Sequence, residues 1–550
     1  MMKRYTVGVD FGTLSGRAIL LDAESGEVLG SAVMEYPHGV MERALPDGTP
    51  LPPQFALQHP DDYLQVLSAV VREVLSKTGT APEAVGGLGI DFTTCTVLPI
   101  RADGTPLCTE EEYRSEPHAY VKLWKHHGAQ AEADRITGLA RARGETWLAS
   151  YGGRVSSEWA LPKILETLNR APRVYADADR FIEAGDWLSL LLTGEESRAA
   201  GFAGYKYFWR GDEGYPSDEF LCAIDPRLSD LIGGKIPDEV RSVADKAGVL
   251  SARGAALTGL CEGTALAMPI LDAHAAMPAL NITEPGVLMA IVGTSGVQLL
   301  HAREKIDVAG ICGRVRDCVV SGLYTYEAGQ SGVGDSFDWF VRNCVPESYR
   351  TAAREAGQSI HQYLRAKAER LRVGESGLVA LDWFNGNRCL LQDASLSGMI
   401  VGLTIGTRPE EIYRAMIEST AYGARAIVEA FSAGGLEIRE IRASGGIAKK
   451  DPMMMQIYAD VLGRELSVLD TDQGGAHGSA IYAAVAAGYY PSVREAAERL
   501  SVKRATVYRP IEENRRIYDE LYAEYVRLYN YFGRGENEVM KRLRRIAGGN

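Results

Sequence analysis

No apolar stretch in the chain reaches the ~20 residues needed to cross a bilayer, so a membrane span is not expected. The start, Met-Met-Lys-Arg-Tyr5, has basic residues but no apolar region or cleavage site behind them, and reads as a cytoplasmic rather than an exported protein. Positive charge is in deficit: 59 Lys and Arg against 72 Asp and Glu leave a net charge of −13. That balance argues against a general nucleic-acid binder. Cysteine is sparse, eight residues with no Cys-x-x-Cys, and reads as reduced, buried thiols rather than a disulfide framework. His126-His127 has no cysteine or acidic cluster at ligand spacing and reads as a solvated helix end, not a metal site.

What is present is enough apolar sequence, 46% of 550 residues, for two or more globular cores. Tyr5-Thr-Val-Gly-Val-Asp10-Phe-Gly-Thr-Leu-Ser-Gly16 is an apolar strand running into a turn of Gly, Thr and Ser, and a second strand follows at once. A turn between two antiparallel strands differs from a Walker loop, which leads into a helix. Gly12 and Gly16 let backbone amides approach an anion, and Thr13 and Ser15 offer hydroxyls. Asp10 can hold hydrated Mg²⁺ beside phosphates. An ordinary glycine hairpin would explain this stretch equally well. The tie is broken by Val287-Leu-Met-Ala-Ile-Val-Gly293-Thr294-Ser295-Gly296, which repeats the plan almost three hundred residues later; Asp10 ends the first strand, while Val292 stands just before the second turn. Two such hairpins suggest two related domains closing on one nucleotide, with the boundary at Asn281–Gly286.

Several other stretches bear chemistry. Asp91-Phe-Thr-Thr94-Cys-Thr ends a strand and is suited to a polyol, although strand threonines need no such role. Gly201-Phe-Ala-Gly-Tyr-Lys206-Tyr-Phe-Trp packs aromatics round one lysine and reads as a binding loop, with a snorkelling surface lysine as the alternative. Asp272 sits between a strand and an Ala-rich helix, where it could be a base, an N-cap or both. Glu327 follows the second hairpin and could reach substrate across a cleft. Gly445-Gly446 at a strand-to-helix turn offers bare backbone to a base or ribose, and Lys449 beyond it is assigned to the nucleotide. The Ala-rich helix after Gly474 is expected to complete the second sheet, and the Tyr-rich tail to wrap the surface.

Gly398-Met-Ile-Val-Gly402-Leu403 followed by Glu411-Ile-Tyr-Arg-Ala-Met-Ile-Glu418 resembles the second signature of the FGGY carbohydrate kinases, and Lys122-Leu-Trp124 in its context resembles the first. The likeness spans about residue 5 to about residue 500. Gly89-Ile-Asp-Phe-Thr-Thr-Cys-Thr, Pro117-His-Ala-Tyr-Val-Lys-Leu-Trp-Lys-His-His and Leu381-Asp-Trp-Phe-Asn-Gly-Asn-Arg are most similar to the members that phosphorylate L-ribulose. The resemblance implies an α/β fold of two actin-like, ribonuclease-H-like domains flanking a cleft: residues 1–283 for the sugar, 284–500 for ATP, and a helical extension over 501–550. It implies ATP-dependent phosphorylation of the terminal hydroxyl of L-ribulose in arabinose breakdown, with ATP and Mg²⁺ required. Carried over by position, Asp272 is the base, Asp10 the metal-side acid, and Thr94, Lys206 and Glu327 the sugar contacts. Thr13, Gly293, Thr294 and Ser295 hold phosphates, and Gly445 and Gly446 the adenosine. Leu271-Asp272-Ala273 departs from the Gly-Asp-Gln or Gly-Asp-Asn of many members, so glycerol and xylulose kinases are unsafe guides to substrate. The rival readings are a kinase for D-ribulose, ribitol or D-xylulose, an actin-like ATPase without sugar chemistry, and a sugar-binding regulator without catalysis. A homodimer is left open.

Overall fold

The computed structural model describes residues 4–548. Its two main sheets follow one plan. In the first, strands run in the order Lys246–Val249, Ala265–Ala267, Val85–Phe92, Tyr5–Phe11, Ser15–Asp22, Val28–Glu35. Tyr5–Phe11 pairs antiparallel with the strand after it and parallel with Val85–Phe92. In the second, Val287–Val292 takes the central place, antiparallel to Gly296–Ala302 and parallel to Glu440–Ser444. Leu466–Leu469 adds a further parallel strand, and Ala505–Tyr508 an antiparallel edge. The repeat read from the two hairpins is therefore a repeat of whole sheets.

The helix Pro60–Thr78 lies where apolar spacing places it and buries Tyr63, Val66, Leu67, Val70 and Val74. Its cap is His59, whose Nδ1 accepts from the Asp61 amide. A second covering helix comes from far along the chain. Gly474–Ala486 does not complete the second sheet; it crosses to the first and lies on Tyr5–Phe11 and Val85–Phe92. Its composition explains the switch. Glycines on both sides let backbones touch: a Cβ at Gly8 would stand 1.8 Å from the Ala476 carbonyl, and one at Gly89 1.9 Å from that of Ser479. Thr6 Oγ1 donates to the Ala480 carbonyl (3.0 Å) inside this contact. The chain's late segment thus ties the two sheets together.

A small sheet of Leu57–Gln58, Val121–Lys122, Val97–Ile100 and Arg180–Glu183, with nearby helices, forms a separate core around Phe55, Trp147, Tyr151, Trp159 and Phe208. Here the Pro117–His127 stretch opens with a short 3-10 turn, Pro117–Ala119, and the two-residue strand Val121–Lys122. His126 is fully buried and bonds Glu166 Oε2 (2.8 Å), so it is no solvated helix end. Lys122 Nζ donates to the same oxygen (2.8 Å), to Thr167 and to the Lys163 carbonyl. A buried lysine persists as a cation when every proton has an acceptor.

The C-terminal tail departs from expectation as well. The helix Glu512–Gly533 carries Tyr518, Tyr522, Tyr525 and Tyr529 at helical spacing, and all four are buried against the second domain. Tyr518 donates to Glu418, Tyr522 to Glu429 and Tyr525 to Asp382, which lets the phenols enter a core. The tail is part of that domain's packing rather than a surface wrap. Among the described residues no helix is long and apolar enough to cross a membrane.

Candidate active site

Carboxylates and one lysine converge between the sheets. Asp10 and Asp91 are register partners at the ends of parallel strands. Parallel strands point their C-terminal ends the same way, so acids there share one edge of the sheet. A Cβ on Gly475 would stand 3.1 Å from Asp10 Oδ2 and 3.2 Å from Asp91 Oδ1. The helix Gly474–Ala486 therefore begins directly over the pair, and Ser479 Oγ donates to Asp91 Oδ2 (2.7 Å). Burial and then mutual repulsion push Asp91 well above the usual carboxylate range; burial raises Asp10 too, against the pull of Arg17 at 3.5 Å.

Asp272 opens the eight-residue helix Asp272–Ala279, and its Oδ1 accepts from the Ala273 amide (2.7 Å). Burial, with Asp10 next, pushes its carboxyl up from 3.8 to about 7; Glu327 adds to the rise, while Ala273 and Lys206 oppose it. Burial works against the Lys206 charge, yet Cys95, Glu327 and Cys312 together hold its pKa above the ordinary lysine value. Glu327 stands in the strand Tyr324–Gln330 of the second sheet, across from Asp272. Its Oε2 lies 3.5 Å from His274 Nε2, and burial keeps that imidazole neutral, with a pKa of about 4.

Lys206 does not lie in a loop. Ala200–Lys206 is a buried helix, and its glycines serve packing: a Cβ at Gly201 would meet Leu271 at 2.5 Å, and one at Gly204 would meet Val315 of the second domain at 2.3 Å. Thr94 Oγ1 is buried with no hydrogen-bond partner among the described residues, and a buried hydroxyl of this kind is free to bond a ligand hydroxyl. The next residue, Cys95, is held at φ 59°, a conformation that non-glycine residues adopt at a cost. The Lys163 ammonium fixes this bend by donating to the Cys95 carbonyl (2.6 Å) and the Leu123 carbonyl (2.8 Å).

The first hairpin closes by Gly12 N–H to the Ser15 carbonyl (3.0 Å), the second by Gly293 N–H to that of Ser295 (3.1 Å). Trp124 Nε1 donates to Thr13 Oγ1 (3.1 Å), and Gln58 to the Thr13 carbonyl (2.9 Å), so that hydroxyl is oriented from behind. The Thr294 carbonyl accepts from Val333, and the Gly293 carbonyl from Gly334. Gly445 has φ 108° and lies so near Val292 that a Cβ would be 2.5 Å from its carbonyl; at Gly446 a Cβ would meet nothing within 4 Å. The second hairpin and the Gly445 turn are one wall with bare backbone on it. Lys449 is exposed and paired with Asp470 (2.7 Å) and Asp472 (2.9 Å).

The full architecture finds its match in known proteins. Residues 5–277 match the N-terminal domain of the FGGY family of carbohydrate kinases, and residues 288–487 its C-terminal domain. The chain belongs to that family. It is 47% identical over 549 residues to a ribulokinase of Geobacillus thermodenitrificans, covering 99% of this chain and 97% of that protein. A ribulokinase of Anoxybacillus flavithermus gives the same figures. Among solved structures, xylulose kinase from Rhodospirillum rubrum superposes with a TM-score of 0.79 at 23% identity, over 96% of this chain and 98% of that one. The actin-like fold expected from the signatures is thus the fold of this kinase, and ATP is its phosphoryl donor.

Reasoning from sequence missed several residues of the site. Asp91 was read as a polyol contact at most, but it is the partner of Asp10. His274, two residues after Asp272, has the same helix as its signal. Gly475 and Lys163 carry no local signal, because a glycine under a carboxylate pair and a lysine reaching two distant carbonyls depend on tertiary structure.

Proposed function

We propose that this kinase transfers the γ-phosphoryl group of ATP to the terminal hydroxyl of L-ribulose, giving L-ribulose 5-phosphate for arabinose breakdown. The observation that carries the substrate is the near full-length likeness to ribulokinases. Thr94, Lys206, Glu327 and Asp272 supply a hydroxyl, a cation and carboxylates around one space, which suits a polyhydroxylated sugar.

Asp272 takes the sugar proton as the oxygen attacks phosphorus. Its first-turn position, the Ala273 amide and Lys206 favour the carboxylate, while burial first, then Asp10 and Glu327, favour its protonation, so its basicity is tuned between them. Thr13 and Ser15 on one hairpin, and Gly293, Thr294 and Ser295 on the other, hold phosphates; Gly12, Gly445 and Gly446 give the nucleotide a surface of bare backbone. Phosphoryl transfer depends chiefly on such positioning and on charge stabilisation. Asp10 and Asp91 fit Mg²⁺: they are adjacent carboxylates, and Asp91 Oδ1 is buried with no hydrogen-bond partner among the described residues. Mg²⁺ held there supplies charge neutralisation for the phosphates. Lys449 is paired with Asp470 and Asp472, and the third proton of its ammonium is left for a nucleotide oxygen.

A coupled assay of ADP formation against L-ribulose, D-ribulose, ribitol and D-xylulose tests this reading. The highest kcat/KM is expected for L-ribulose. Preference for a pentitol or D-xylulose, or ATP turnover that ignores sugar, would overturn it.

A further inference from the structure

Beside the sugar site lies a pair of thiols that the phosphoryl-transfer chemistry does not use. Cys312 Sγ and Cys389 Sγ are 3.1 Å apart. They belong to segments distant in sequence but bound to each other: the Leu390 amide donates to the Gly310 carbonyl (2.7 Å), and Gln392 Nε2 to that of Ile311 (3.0 Å). Cys389 Sγ also accepts from the Gly329 amide (3.0 Å). The Cys312 amide donates to the carbonyl of Glu327 (2.8 Å), so one member of the pair through its sulfur and the other through its backbone both bond the strand that carries Glu327. Arg388 precedes Cys389 and feels both thiols, as Lys206 feels Cys312. The contact with Cys389 and burial push the Cys312 thiol up, while Cys389 Sγ accepts from the Gly329 amide and follows the Arg388 guanidinium in the chain. Such a setting favours a nucleophilic sulfur.

We propose that Cys312 and Cys389 form a reversible redox pair whose closure alters the sugar site. With hydrogen peroxide as oxidant, the Cys389 sulfur attacks one peroxide oxygen, the O–O bond breaks, and sulfenic acid and one water result. Cys312 then attacks that sulfur, the S–O bond breaks, and a disulfide and a second water form. Two thiols are oxidised, one peroxide is reduced, and both thiol protons leave in water. Closing the sulfurs from 3.1 Å to the ~2 Å of a disulfide withdraws Cys389 from the Gly329 amide and pulls Cys312, with its bond to Glu327, toward Cys389.

The test treats the full-length protein with hydrogen peroxide, maps peptides without reduction and measures kinetics before and after dithiothreitol. The expected result is a Cys312–Cys389 cross-link, a several-fold rise in the sugar KM, and recovery on reduction. Cys312→Ser and Cys389→Ser should keep ordinary kinetics and lose the response. Absence of the cross-link, a cross-link without a kinetic change, or an equal loss of activity in both serine variants would overturn the proposal. The cross-link is read without any assay of turnover, so its outcome is separate from the ribulokinase reading.

Discussion

The acid limb of the pH–rate profile should belong to Asp272, and its neighbours should move it in opposite directions. The carboxyl is raised from 3.8 to about 7, which corresponds to about 4 kcal/mol against ionisation at about 1.4 kcal/mol per pH unit. A base must be ionised to accept a proton, so kcat/KM for sugar should fall as pH drops below the carboxyl's pKa. Glu327→Gln removes a charge that raises Asp272 and should shift the limb to lower pH. Lys206→Met removes a charge that lowers it and should shift the limb to higher pH. Each displacement should be about one to three pH units, the size expected of a single charge within a few ångströms. A cation at Asp10 would lower the limb in all three proteins alike and leave the two directions intact. The assay is kcat/KM for L-ribulose at saturating MgATP from pH 5.5 to 9, with the wild type alongside to fix the titration of ATP itself. Limbs that stay together, or move the same way, would refute the assignment.

Other substitutions test the frame. Gly475→Ala places a methyl within 3.2 Å of both Asp10 and Asp91 and should lower kcat by at least about tenfold while circular dichroism stays unchanged, because small displacements of catalytic groups are costly. Trp124→Phe removes the donor behind Thr13 and should raise the KM for ATP several-fold, in line with about 1 kcal/mol for one hydrogen bond. Glu166→Gln strands the buried Lys122 charge and should cost about 3–5 kcal/mol in urea unfolding, with little change in KM in the protein that remains folded.

The parts of this fold that were legible in sequence are those set by local pattern. The two Gly-Thr hairpins, the helix Pro60–Thr78 and the strand–Asp272–helix step are each encoded in one contiguous stretch. The parts that were not legible depend on partners far away. Gly201 and Gly204 look helix-breaking until Leu271 and Val315 are seen against them, when they become the only residues that let the helix sit there. His126 looks exposed until Glu166 meets it. The run from Gly474 looks like the next piece of the second sheet, because nothing local says that Gly8 and Gly89 wait for it on the first. In the site, Asp272 was visible from its strand-to-helix position, whereas Asp91 gained its place only from the register with Asp10.

The central claim is that Asp272 removes the sugar proton during transfer from ATP. Rapid-quench single-turnover measurement with Asp272→Asn, which keeps shape and removes basicity, tests it most directly. Phosphoryl transfer to L-ribulose should slow by about 10²–10⁴-fold with sugar and ATP still bound. Transfer at the wild-type rate by the folded variant would contradict the account.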